Sequence, residues 1–154
     1  MSRFWNWEFC ARVGLAHPLF GAGGDYYSLR AYEIYFPEFL SEWPGKVWSC
    51  HNAPLMMFSE HGFIGLGLWL GLIISTLVSV RRAARADTTR QPGGPRDVAD
   101  MIQGALVAYV VAGFFYDATY FDCFYQLPAM AVMLKEGVLT KVPPAQIALS
   151  RAGR

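Results

Sequence analysis

The residues best suited to chemistry lie in the run SCHNAPLMMFSEHGFIGLG, from Ser49 to Gly67. His51 and Asn52 stand just before the longest apolar stretch of the chain. A histidine side chain is mostly neutral at neutral pH, so it can accept a proton. We therefore expect a titratable group at a membrane surface, where a lipid-linked substrate could be met.

The same residues can also be explained as a helix start. Pro54 is tolerated in a first helical turn, and Asn52 or Ala53 would be the cap. The N–H groups of a first turn have no intrahelical partner and favour anions, phosphates included. In the simpler alternative, His51 and Asn52 only cap and anchor a membrane helix.

Three apolar segments predict the elements that position this junction. Residues 62–80 carry no charge, and at about 1.5 Å per residue they cover the roughly 30 Å hydrocarbon core of a bilayer. Residues 101–116 and 119–134 are two further predicted spans. The arginine-rich loop 81–100 is predicted to be cytoplasmic by the positive-inside rule. The predicted fold class is therefore an all-α polytopic membrane protein with about three transmembrane helices and a helical or irregular periplasmic loop.

The predicted domains follow from this topology. Residues 1–60 form the periplasmic region, with an amphipathic helix over 2–16 and a short helix over 28–35. The membrane domain covers 61–137, and 138–154 form a cytoplasmic tail. No segment in residues 1–60 resembles a signal that could carry this region across a membrane. We therefore expect a membrane half upstream, with this chain as one piece of a larger protein.

Composition excludes several classes of protein. The net charge of +1 gives no nucleic-acid footprint. The three histidines lack metal-ligand spacing, and no motif predicts a cofactor. Three cysteines argue against a closed disulfide framework, although Cys10 and Cys50 could pair on the oxidising side of a membrane.

Two other features stay open between structure and function. The glycines of Gly21–Gly24 are no dinucleotide fingerprint, and a plain turn is favoured over a phosphate cradle. Asp117 and Asp122 lie near predicted membrane depth, where ionisable groups are either interfacial anchors or functional.

Several motifs together resemble one family. His51, Asn52 and Leu55 followed by Glu60–Gly65 read H-N-x-x-L…E-H-G-F-I-G, and the earlier part of the chain contains R-x-x-x-W…P-L-x-G-x-G, from Arg3 to Gly23. In this order they resemble the O-antigen ligase superfamily, and most of all the O-glycosylation ligases that accompany exosortase systems. The G-F-F-Y…Y-F-D-C-F-Y segment is similar to late helices of that family. The resemblance covers residues 2 to about 137 and only the C-terminal part of a family member. The family often has an aromatic residue two positions after the asparagine, where this chain has Pro54.

The resemblance implies a metal-independent, inverting glycan transfer. The donor would be an oligosaccharide on undecaprenyl diphosphate, and the acceptor a hydroxyl of lipid A core, protein or another glycan. The setting would be the bacterial inner membrane, multi-pass, with residues 1–60 periplasmic. Partners would be membrane lipids and the missing N-terminal membrane half.

By the same resemblance, His51 is the candidate base or positioning group for the acceptor, and Arg3 a contact for the diphosphate. A positioned base contributes typically 10²–10⁴-fold, and arginine offers two parallel N–H donors to a departing diphosphate. The candidate substrate-binding residues are Asn52, Arg12, Arg30 and Glu60.

Two alternatives remain open. An O-antigen polymerase of the same superfamily would share the carrier and the loop, and only its acceptor would differ. A non-catalytic membrane subunit or transporter fragment would pack through glycines such as Gly67 and Gly71. In that second case His51 and Arg3 would be freely replaceable.

Overall fold

Helices make up the framework of this computed structural model, which describes residues 3–24, 26–87 and 92–137. Within those ranges all regular structure is α-helical, so the all-α prediction is confirmed. The predicted tail 138–154 lies outside the described residues. In chain order the helices are α1 Arg3–Ala16, α2 Leu29–Tyr35, α3 Pro37–Glu42, α4 Ala53–Ala86, α5 Pro95–Gly113 and α6 Asp122–Lys135.

The chain divides into two compact units. Unit 1 is Met1–Leu72 with Ala108–Phe121, and unit 2 is Ile73–Val107 with Asp122–Arg154. All of the candidate site residues belong to unit 1.

An aromatic core holds α1, α2 and α3 together in unit 1. Phe9 stacks on Tyr32 with ring centroids 3.7 Å apart, and Phe36 and Phe39 pack beside them. The predicted helix over 28–35 is present, and the Ser28 side chain caps it by accepting from the N–H of Ala31. Helix α3 was not predicted. Pro37 begins it, at a position where proline is well tolerated.

A disulfide links Cys10 in α1 to Cys50, just before α4. Both residues are fully buried in the aromatic core. The pairing that sequence left open is therefore present, and the odd cysteine is Cys123, which is free and exposed. The bond joins the first helix to the residue that precedes His51.

Among the described residues, α4 is the one helix long and apolar enough to cross a membrane. It has 34 residues and contains the whole predicted span 62–80. Only 22% of its most apolar stretch is buried within the chain, so most of that surface is open. The helix is broken once, at Gly62, whose φ of 64° and ψ of −163° are not helical.

The other two predicted spans, 101–116 and 119–134, are helical only in part, because α5 ends at Gly113 and α6 begins at Asp122. Helix α6 has 14 residues and is about 21 Å long, less than the roughly 30 Å of a hydrocarbon core. Helix α5 has 19 residues, but its first two turns hold Arg96, Asp97 and Asp100. A three-span topology therefore stays a prediction. In unit 2 these helices share one apolar cluster with the end of α4, made of Val80, Ala99, Ile102, Ala131 and Leu134.

Candidate active site at the turn between α5 and α6

The turn over residues 114–121 is the common partner of the candidate residues. Arg3 Nη1 donates to the carbonyl oxygen of Phe115 at 3.2 Å. Asn52 Nδ2 donates to the carbonyl oxygen of Phe114, also at 3.2 Å. His51 and Glu60 contact side chains of the same turn, as described below. Four of the six residues predicted from sequence thus meet at this turn.

His51 is paired with Asp117. Its Nδ1 lies 2.9 Å from Asp117 Oδ2, and Ser49 Oγ donates to the same carboxylate oxygen. The other oxygen, Oδ1, is buried without a hydrogen-bond partner in the described part of the chain. The His51 side chain is 40% exposed, so the ring is held on one side and open on the other.

The backbone of His51 is in the left-handed region, with φ of 48°. Few residues other than glycine, asparagine and aspartate adopt this conformation readily, so it costs about 1–2 kcal/mol. The residues on either side hold it in place. Cys50 is held in the disulfide, and Asn52 caps α4. A strained residue between two fixed neighbours is typical of a functional position.

Asn52, one of the two caps expected from sequence, caps α4. Its Oδ1 accepts from the N–H of Leu55 at 3.0 Å while its Nδ2 bonds the turn, and the residue is 4% exposed. Both ends of the amide are used by the chain itself. Its predicted contact with substrate stays a prediction.

Arg3 is exposed at the start of α1. Besides its bond to Phe115, its guanidinium lies 6.0 Å from the centre of the Phe115 ring. It forms no ion pair with a described carboxylate, so its charge is available to an anion.

Glu60 is buried, at 3% exposure, in a cluster with Tyr120 and His61. The Tyr120 hydroxyl donates to Glu60 Oε2, and His61 Nε2 lies 2.7 Å from the same hydroxyl and 3.7 Å from Oε2. The Glu60 carboxylate is therefore held by the chain. Its predicted substrate contact stays a prediction.

The break at Gly62 joins α4 to the segment Pro18–Gly23. The carbonyl oxygens of Ser59 and Glu60 accept from the N–H groups of Ala22 and Gly23 at 2.7 and 3.0 Å. In return, the N–H groups of Phe63 and Ile64 donate to the carbonyl oxygens of Pro18 and Leu19 at 2.7 and 3.3 Å. In an unbroken helix these four groups of α4 would pair with one another.

Close backbone approach explains two glycines of the motifs. A Cβ on Gly21 would lie 2.2 Å from the carbonyl carbon of Glu60, and a Cβ on Gly62 would lie 2.4 Å from that of Leu19. Both residues also have positive φ. The Gly21–Gly24 run is thus a turn that docks on α4, as favoured from sequence.

The two remaining candidates lie elsewhere. Arg12 bonds Glu8 at 2.6 Å and Glu38 at 2.5 Å, and its guanidinium stacks on Phe36. The bond to Glu8 raises the pKa of Arg12, although burial opposes it. Arg12 therefore ties α1 to α3. Arg30 is exposed in α2 and contacts no other candidate.

Negatively charged carboxylates of the site influence the neighbouring Tyr26. Burial raises the pKa of the Tyr26 hydroxyl, and the negative charge of Glu60 and then that of Asp117 raise it further. Tyr26 donates to Cys50 Sγ at 3.3 Å, next to His51. The site thus combines a carboxylate-rich interior with one exposed arginine at its turn.

Three contributors were missed as site residues. Asp117 was left open as an anchor, while Ser49 and Tyr120 were not singled out. The feature of the sequence that pointed to Asp117 was an acidic residue within an aromatic segment. Its pairing with His51 could not be predicted, because α4 and α5 lie between the two residues in the sequence.

No cluster of three His, Cys, Asp or Glu side chains is placed to hold a metal ion in the described ranges. Comparison with protein-family models, curated proteins and solved structures finds no match.

Proposed function

We propose that the chain carries part of the catalytic machinery of an O-antigen ligase-like glycosyltransferase. The reaction moves a glycan from undecaprenyl diphosphate to an acceptor hydroxyl. The observation that carries the proposal is the His51–Asp117 pair, 2.9 Å from Nδ1 to Oδ2, at the start of the apolar helix α4.

The pair supports a general base. When Nδ1–H donates to Asp117, Nε2 keeps its lone pair and can take a proton. The acceptor hydroxyl attacks the anomeric carbon, and its proton passes to His51 Nε2. The bond from that carbon to the diphosphate breaks, and the diphosphate leaves with the electron pair. Attack opposite the leaving group inverts the anomeric centre.

Arg3 supplies positive charge for the departing diphosphate. Its guanidinium contacts Phe115, two positions before Asp117 in the same turn. Its remaining N–H donors suit phosphate oxygens, and a fixed charge stabilises a leaving anion more than a mobile one does.

The setting is the inner membrane, crossed more than once, with residues 1–60 on the periplasmic side. The open apolar surface of α4 supports lipid contact. The Cys10–Cys50 bond supports an oxidising compartment for the region before α4, because structural disulfides persist in the periplasm and not in the cytosol.

A structural role is the second candidate, and one observation favours it. Arg3, His51 and Asn52 all bind the turn over 114–121, so they could serve only to fasten α1 and α4 to it. In that case the imidazole would be replaceable wherever its backbone conformation is kept.

The test is glycan transfer in native membranes that contain the chain, with a labelled undecaprenyl diphosphate donor. His51→Asn keeps a residue that tolerates the left-handed region, so it removes the imidazole without changing the backbone preference. We expect it to lower transfer by roughly 100-fold or more. Arg3→Gln should also lower transfer, and Lys46→Gln, an exposed charge loss elsewhere in unit 1, should not.

Assays with different acceptors distinguish a ligase from a polymerase. Transfer to lipid A core or protein indicates a ligase, and extension of the donor glycan itself indicates a polymerase. If His51→Asn is present at the normal level and transfers glycan as fast as the wild type, His51 is not the base and its role is structural.

A further inference from the structure

A cavity of about 660 Å³ lies in unit 2, and its lining includes none of the candidate site residues. Its lining comes from the end of α4, the start of α5 and the end of α6. The residues that matter here are Ser79, Arg82, Asp87, Pro95, Leu134 and Lys135. A cavity of this size is in the range of small-molecule sites.

The cavity has a fixed apolar wall. Leu134 lines it and also belongs to the cluster that joins the three helices, where it is 4% exposed. Pro95 and the alanines at the end of α4 continue the apolar surface. The polar side chains are therefore presented from a packed scaffold.

The charged side chains of the lining, Arg82, Lys135 and Asp87, carry a net positive charge. Arg82 and Lys135 are both exposed, and neither forms an ion pair with another described residue. The one acid of the lining, Asp87, accepts from the backbone N–H of Arg96 at 3.4 Å. Arg81 and Arg85 add charge to the same end of α4.

We propose that this cavity binds the headgroup of an anionic phospholipid. Arg82 and Lys135 pair with the phosphodiester, the Ser79 hydroxyl donates to a phosphate oxygen, and the apolar wall meets the glycerol and the first acyl carbons. Basic pockets between helices at a membrane surface are typical sites for anionic headgroups. The apolar stretch of α4 leads directly to this end, which places the cavity at headgroup depth.

The inference rests on α4 crossing a bilayer, as proposed above, and not on glycan transfer. The chain's own segment 138–154 is a poor occupant on charge. It contains Lys141, Arg151 and Arg154 and no aspartate or glutamate. A free phosphate would leave the apolar wall unused.

Native mass spectrometry of the purified chain in neutral detergent tests the proposal. The probes are phosphatidylglycerol, phosphatidylcholine and inorganic phosphate. We expect phosphatidylglycerol to be retained in preference to the other two. Arg82→Gln and Lys135→Gln should each weaken its binding about fivefold, and the double variant about 25-fold. The matched control is Arg81→Gln with Arg85→Gln, which removes equal charge outside the lining and should keep the affinity of the wild type.

Three other outcomes would contradict the proposal that this cavity binds an anionic lipid headgroup. Equal retention of phosphatidylcholine would mean that charge does not select the lipid. Equal losses in the control would mean a diffuse basic surface, and retention of inorganic phosphate alone would mean a free-anion site. If the double glutamine variant loses helix content by circular dichroism, the charge-preserving pair Arg82→Lys and Lys135→Arg decides: retained binding supports the proposal, and lost binding contradicts it. Because no glycan is transferred in this measurement, its failure is distinct from failure of the ligase proposal.

Discussion

His51 Nδ1 lies 2.9 Å from Asp117 Oδ2, although helices α4 and α5 separate the two residues along the chain. Within unit 1, the pair joins the residue before Asn52 and α4 to the turn between α5 and α6. It also fixes which ring nitrogen carries the proton, because a carboxylate can only accept. The chemistry proposed for His51 depends on that assignment.

The tautomer of His51 can be measured without any substrate. We expect the Nδ1–H form in the native chain and its loss in Asp117→Ala, because the acceptor at Nδ1 is then absent. Nitrogen-15 NMR of histidine-labelled protein reports the tautomer directly. His17 and His61 serve as internal references, since neither contacts Asp117. An unchanged His51 signal in Asp117→Ala would contradict the pairing.

Docking of the glycine-rich turn on α4 should depend on Gly21. Gly21→Ala places a Cβ against the Glu60 backbone and forces a left-handed alanine, so we expect a loss of about 2–4 kcal/mol in the free energy of unfolding. Gly24→Ala is the matched control, because nothing lies within 4 Å of its added Cβ and its φ is not positive. Denaturant unfolding in detergent compares the two, and equal stabilities would show that the close approach is not needed.

The disulfide should stabilise unit 1 selectively. Removing it with Cys10→Ser and Cys50→Ser is expected to lower the free energy of unfolding by about 2–4 kcal/mol, since a closed loop restricts the unfolded chain. Cys123→Ser, at an exposed free cysteine, should have little effect. Thiol titration of the unfolded, unreduced chain should find one reactive cysteine. Three would show that the bond does not form.

Alkaline pH should destabilise unit 1 through Tyr32. Burial raises the pKa of Tyr32 to about 12, and its hydroxyl donates to the carbonyl oxygen of Trp48. The unfolded value is about 10. The stability that the neutral phenol provides is complete below about pH 10 and is lost as the pH rises through about 12.

Unfolding midpoints measured at about pH 9 and about pH 11 check this expectation. Tyr32→Phe should lose less stability over that interval than the wild-type chain, and Tyr27→Phe, at an exposed tyrosine, should behave like the wild type. An equal pH dependence in all three would contradict the role of Tyr32.

Local patterns predicted the helices well. The cap at Asn52, the short helix after Ser28 and the apolar stretch of α4 all follow from residues that act on near neighbours. Helix α3 was missed because six residues with a proline at one end show too little periodicity. It forms because Phe39 enters the core against Tyr32.

Distant pairings were harder to read. The Cys10–Cys50 disulfide was left open, because the spacing of two cysteines in the sequence does not show that they lie close together in the fold. Asp117 was identified as notable but not as the partner of His51. Arg12 was proposed with Arg30 as a substrate-binding residue because sequence cannot show that Arg12 already pairs with Glu8 and Glu38.

The exchange of backbone partners at Gly62 bears on the order of assembly. If α4 crosses a bilayer, as proposed above, it can close these hydrogen bonds itself before the segment Pro18–Gly23 docks and so enter as an unbroken helix. Docking then replaces two bonds within the helix by four between the two segments. None of these four backbone groups of α4 need stay unpaired in apolar surroundings at either stage, where each would cost several kcal/mol. The long helix can therefore be inserted first and fastened to the N-terminal region afterwards.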